Sequence, residues 1–152
     1  MEEVVETDIV IQAPLERVWD ILSDLSRYGE WNPLIVRAEG PLVRGGKISI
    51  SVRIPQRKAT SFRPTLLALE AKKELRWLGS LAIPSLFSGE HAFVLTDRAD
   101  GSVHLLHRER FEGLLLRFLS RRWFKRVHQG FEAMNEALKA RAENVASDFR
   151  QG

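Results

Sequence analysis

One stretch of this 152-residue chain gathers three of its four histidines. Residues 87–113 hold His91, His104, His107 and Glu109, interleaved with Phe93 and Phe111. An imidazole beside a carboxylate is the pairing used for general acid–base chemistry, which makes His91, His107 and Glu109 the catalytic candidates. The same pairing also serves as a purely structural network, because buried polar groups find partners. A third use is to orient a mainly apolar ligand, since binding pockets combine apolar walls with a few placed polar groups. All three uses stay open at this point. A metal site is not expected, because ligands on adjacent flat strands converge poorly and neither His-x-His nor His-Glu-x-x-His spacing occurs.

Which of these residues meet depends on strand register. Ala99-Asp100-Gly101 suits a three-residue hairpin loop, a type I turn closed by glycine in the left-handed conformation. Counting outward from that loop sets Glu90 against Arg110 and Val94 against Leu106. On the other face it sets His91 against Glu109, Phe93 against His107 and Leu95 against Leu105. A two-residue loop would reverse the parity and face His91 with Arg110, a poorer pairing. The odd-numbered face is therefore expected to line a cavity, joined by Trp77 from the preceding strand. His104 points the opposite way.

The remaining elements must position that face. Val4–Ile11 reads as a first strand, and Ala13-Pro14 opens a short helix with Val18, Trp19, Ile21, Leu22 and Leu25 as its apolar stripe. Trp19 and Tyr28 are read as core. The run Ser26–Pro33 ends that helix, and Trp31-Asn32-Pro33 forms either a cavity mouth or a loop packed into the core edge. From Leu34 to Phe111 the chain is strand and turn. Lys47–Ile54 alternates isoleucine and valine with polar residues, and a longer strand ending near Glu70 contains Pro64, which marks a bulge or an edge. A glycine-bounded loop spans 79–89. After Gly113 the pattern turns helical, with Phe124, Val127, Phe131, Met134 and Leu138 at spacings of three and four. Gly130 interrupts that helix, so something is expected to pass close to its backbone. Trp123 lies off the stripe and either packs on the first helices or faces a partner.

Bulk properties narrow the class. The length suits one domain, taken as residues 1–146, with 147–152 as a disordered tail. With no cysteine there is no disulfide and no thiol chemistry. No secretory pattern and no membrane-crossing run is present, so a cytoplasmic location is expected. The absence of Gly-x-Gly-x-x-Gly, Walker and Gly-x-Ser-x-Gly motifs argues against nucleotide cofactors and serine hydrolysis. No cofactor is expected. The net charge of +3 is unevenly spread, with an acid-rich first thirty residues and a basic cluster of Arg117, Arg121, Arg122, Lys125 and Arg126. Such a cluster can touch nucleic acid or anionic lipid, but its apolar residues at core spacing favour a solvated helix face, and no nucleic-acid partner is expected.

Several segments taken together resemble a known family. They are Ala13-Pro14 with Val18-Trp19, Trp31-Asn32-Pro33, Leu75-Arg76-Trp77-Leu78-Gly79, Gly89-Glu90-His91-x-Phe93-x-Leu95, Glu109-x-Phe111-x-Gly113 and the run Gly130–Lys139. In this order they resemble the polyketide cyclase/dehydrase-like branch of the START-related helix-grip (SRPBCC) superfamily. The resemblance implies an α+β helix-grip fold: about seven antiparallel strands curved around a long C-terminal helix, with two short helices after the first strand. It also implies a hydrophobic cavity between sheet and helix.

The expected function is binding or transport of a small hydrophobic ligand, lipid-, polyketide- or aromatic-like. The cavity would be lined by Trp31, Trp77, His91, Phe93, His107, Glu109, Phe111, Phe124, Phe131 and Met134. A cyclase or aromatase using the His/Glu patch, and a protein-interaction or stress-related module without ligand, are the alternatives. A monomer or weak homodimer is expected.

Overall fold

The computed structural model describes residues 1–81 and 83–150, apart from the side chains of 145–150. In chain order the elements are β1 (Glu2–Ile11), α1 (Leu15–Ser23), a 3₁₀ segment (Leu25–Glu30), β2 (Ile35–Glu39), β3 (Ser49–Val52), β4 (Thr60–Phe62), β5 (Thr65–Glu70), β6 (Glu74–Ser80), β7 (Ser88–Asp97), β8 (Val103–Glu112), a second 3₁₀ segment (Leu114–Phe118) and α2 (Arg121–Arg150). All strand pairings are antiparallel. No described helix is long and apolar enough to cross a membrane. The part of the expected 147–152 tail beyond the helix backbone lies outside the described residues.

The hairpin register follows the loop chemistry. Arg98 N–H donates to Ser102 C=O at 2.9 Å, and Gly101 takes φ 85°, a value that favours glycine. Glu90 pairs with Arg110, His91 with Glu109 and Phe93 with His107. Alternation then sends Val103, Leu105, His107 and Phe111 into the interior while Arg108 and Arg110 stay in water. Across the outer face Glu90 is held by Arg76 at 3.0 Å and Arg110 at 3.6 Å. His104 faces outward against Asp8 at 2.9 Å.

Among the described residues the strands number eight and divide into two sheets, of order β1-β8-β7-β6-β5 and β2-β3-β4, where about seven in one curved sheet were expected. Pro64 is the reason. It has no N–H to donate to a sheet ladder, so the expected long strand breaks there. Its first part, β4, pairs with β3; its second part, β5, pairs with β6.

The long helix α2 buries Val127, Phe131, Met134, Leu138 and Ala142 against β1 and β8 and against α1, whose Val18, Trp19 and Leu22 are also buried. Gly130 lets it pack closely. A methyl group there would stand 2.9 Å from Leu34 Cδ1 and 3.3 Å from Pro55 Cδ.

Candidate functional site

A cavity of about 590 Å³ lies under the N-terminal half of α2. Its walls come from both sheets. The five-stranded sheet contributes Trp77 from β6, His91 from β7, and Glu109 and Phe111 from β8. The three-stranded sheet contributes Ile50 and Val52 from β3 and Phe62 from β4, and α2 adds Trp123, Val127 and Phe131. Exposed Gln56, Arg57 and Lys58, from the turn between β3 and β4, form its rim. The wall is mostly hydrocarbon and aromatic ring, within the usual size range of ligand sites.

The polar part of the wall is one end of a buried hydrogen-bond chain. Its direction can be read from the opposite end. Thr7 Oγ donates to the His107 backbone carbonyl at 3.1 Å, an atom that only accepts. Thr7 Oγ therefore accepts from Asn135 Nδ2 at 2.8 Å, which turns Asn135 Oδ1 toward His107 Nδ1 at 2.7 Å. His107 must donate there from Nδ1, leaving Nε2 as an acceptor. His91 Nε2–H donates to it at 2.7 Å. Beyond His91, Nδ1 faces Glu109 Oε2 at 3.4 Å. That contact attracts only when a proton sits on one of the two groups, so imidazolium–carboxylate and imidazole–carboxylic acid are its two favourable forms. Burial, with the neighbouring His91 ring second, holds the His107 imidazole well below its ordinary pKa, against the opposing pull of the Asn135 bond.

Packing fixes these rings. Phe131 stacks on His107 with centroids 4.1 Å apart and planes 4° from parallel. Trp77 and Phe93 flank His91 at 5.2 and 4.8 Å. Gly89 leaves the space that the Glu109 carboxyl occupies, since a side chain at 89 would run into Glu109 Oε1.

Of the residues expected on the wall, Trp77, His91, Glu109, Phe111 and Phe131 border the cavity. Phe93, His107 and Met134 share the odd face or helix stripe but are buried behind it. His107 has both ring nitrogens engaged within the core and does not border this cavity. Phe124 packs edge-on against Phe111 and Trp123, off the wall. Trp31 packs on Tyr28 at 5.2 Å and borders a separate surface groove with Arg141, so its loop is a core edge and not the mouth.

Sequence reasoning missed Trp123 and the whole contribution of β3 and β4. The alternation of Ile48, Ile50, Val52 and Ile54 was the available signal, but it identifies a half-buried strand without saying what covers it. Among the described residues no cluster of metal-ligating side chains occurs.

The sequence pattern of polyketide cyclase/dehydrase and lipid transport proteins matches residues 2–143. Among solved structures, a START superfamily protein from Mycobacterium smegmatis is similar at 20% identity, covering 93% of this chain and 98% of that one with a TM-score of 0.75. The ZhuI aromatase/cyclase from Streptomyces sp. R1128 is similar at 15% identity, covering 96% of each chain, TM-score 0.76. Protein MLL2253 from Mesorhizobium loti is similar at 23% identity, covering 90% of this chain and 94% of its own, TM-score 0.68. At these identities the likeness is one of fold. No curated protein matches the sequence.

Proposed function

The chain belongs to the polyketide cyclase/dehydrase and lipid transport family, and from that premise we propose that it binds a small hydrophobic ligand in the cavity beneath α2. One observation carries the reading: a void of about 590 Å³ with mostly apolar and aromatic walls has the Glu109 carboxyl beside His91 on its five-stranded-sheet side, with Gln56, Arg57 and Lys58 at its rim. A protein core without a ligand is normally close-packed, with few voids larger than a water molecule. The Glu109 carboxyl and His91 would orient the bound molecule, and the hydrocarbon wall would supply most of the affinity.

The test is a titration with 1-anilinonaphthalene-8-sulfonate, an apolar fluorescent probe with one anionic group. Saturable binding of one probe per chain is expected, abolished by Val52→Trp, which fills the void from β3. An equal fluorescence response in wild type and in a folded Val52→Trp protein would refute the reading.

The second reading, an enzyme of cyclase or dehydratase type, has one feature in its favour. Glu109 and His91 stand on the wall as a linked acid–base pair, whereas His107 is sealed away. Under this reading Glu109→Gln abolishes turnover but not probe binding. Under the carrier reading it changes only ligand affinity.

A further inference from the structure

Four of the exposed large apolar residues lie on two adjoining segments. Leu81 and Ile83, 41% and 58% exposed, lie on the loop between β6 and β7; Leu114 and Phe118, 66% and 77% exposed, lie on the 3₁₀ segment after β8. Backbone hydrogen bonds join the two segments, from Leu114 N–H to Ser85 C=O at 3.3 Å and from Leu115 N–H to Leu86 C=O at 3.0 Å. Single exposed leucines are ordinary, but a contiguous group marks a surface that meets something.

The chain then runs directly into cations. Arg117, Arg121, Arg122 and Lys125 are exposed and Arg126 half-buried, with no acidic residue between Gly113 and Phe131. Among the described residues none of the five takes part in an ion pair. The loop between β6 and β7 carries no charge of either sign.

We propose that this surface docks the protein on an anionic lipid bilayer, with Leu81, Ile83, Leu114 and Phe118 entering the headgroup region and the arginines holding the lipid charges. Apolar tips beside a basic cluster combine the two signals, an apolar anchor and a polybasic patch, that stable attachment of a peripheral protein takes. A nucleic acid would use the cations but leave the tips in water. The placement also suits the cavity, because Ser80 and Phe87 bracket the loop and Trp123 follows Arg122, and all three lie on the cavity wall. Docking itself does not depend on the ligand reading. Exchange of an apolar ligand between bilayer and cavity would rest on it.

The experiment is sedimentation of the full chain with two kinds of vesicle, one of phosphatidylcholine alone and one of equal parts phosphatidylcholine and phosphatidylglycerol. Binding to the mixed vesicles only is expected, weakening as salt rises. Leu114→Asp with Phe118→Asp should lower partitioning at least tenfold. Arg121→Glu and Arg122→Glu should each lower it about fivefold or more. Val43→Asp, at an exposed apolar residue elsewhere (58% exposed), should leave it unchanged, with circular dichroism confirming that each variant is folded.

Absence of binding to mixed vesicles overturns the proposal. So does binding indifferent to the Leu114/Phe118 change, and so does equal, Phe118-independent affinity for duplex DNA. Val52→Trp should still sediment, so failure of the cavity reading and failure of docking give different results.

Discussion

His91 Nε2 lies 2.7 Å from His107 Nε2, so one ring donates a hydrogen bond to the other across adjacent strands. The direction is set remotely, at the Thr7 hydroxyl, whose proton is committed to a backbone carbonyl. Each link between Thr7 and His91 has then one allowed polarity. The expected outcome is that His107 is the Nδ1–H tautomer and that His91 carries a proton on Nε2. Nitrogen-15 NMR of the histidine rings near neutral pH checks this, and a protonated Nε2 on His107 would contradict it. Thr7→Val removes the anchor, and the tautomer of His107 should then no longer be uniquely fixed.

Stability should fall on mild acidification, and His107 should account for part of that loss. Burial, and after it the His91 ring, depresses the His107 pKa well below its ordinary 6.5. Unfolded chains therefore bind this proton below about pH 6.5 while folded ones do not. The contribution is complete above that pH and is progressively lost as pH drops toward the folded-state pKa, by at most about 1.4 kcal/mol per pH unit. Urea midpoints between neutral and mildly acid pH give the slope. His107→Gln, whatever its absolute stability, should show a shallower one; an identical slope would mean that His107 titrates normally.

The hairpin and its facing residues were legible because they depend on local rules. The loop length fixed the pairing of His91 with Glu109, and strand parity fixed which side chains point inward. The close approach at Gly130 was legible too, since a mid-helix glycine costs stability and needs a reason. What could not be read was depth. His107 and Glu109 are two residues apart on one face, yet one is fully buried and the other reaches the cavity. That difference is made by Phe131 and Asn135 on a helix distant in sequence. The second sheet was hidden for a similar reason, because a proline break tells where a strand ends but not which sheet receives the next one.

Gly130→Ala opposes two effects of known sign. Alanine favours the helix by about 1 kcal/mol. Its methyl group, however, would stand 2.9 Å from the fully buried Leu34 side chain and 3.3 Å from Pro55. Overpacking of this kind costs about 1–3 kcal/mol, and the proline ring yields little. A net loss of about 1 kcal/mol is expected, read from chemical denaturation. A net gain would show that α2 rides farther from Leu34 than the described contacts require.

Phe93 and Phe111 lie on one face of the hairpin but have different surroundings, and truncating each reports whether the cavity is open in solution. Phe93 is fully buried among Trp77, His91 and His107, so Phe93→Ala should cost about 3–5 kcal/mol. Phe111 packs on Phe87, Trp123 and Phe124 but turns part of its ring to the void. Dispersion contacts are absent on that side, so removing the ring forfeits less; a loss smaller by about 1–2 kcal/mol is expected. The same substitution enlarges the cavity and should alter probe affinity, which Phe93→Ala, acting behind the wall, should change less. Equal losses at the two positions would mean that side chains fill the space beside Phe111, and the binding cavity would then be absent from the folded protein in water.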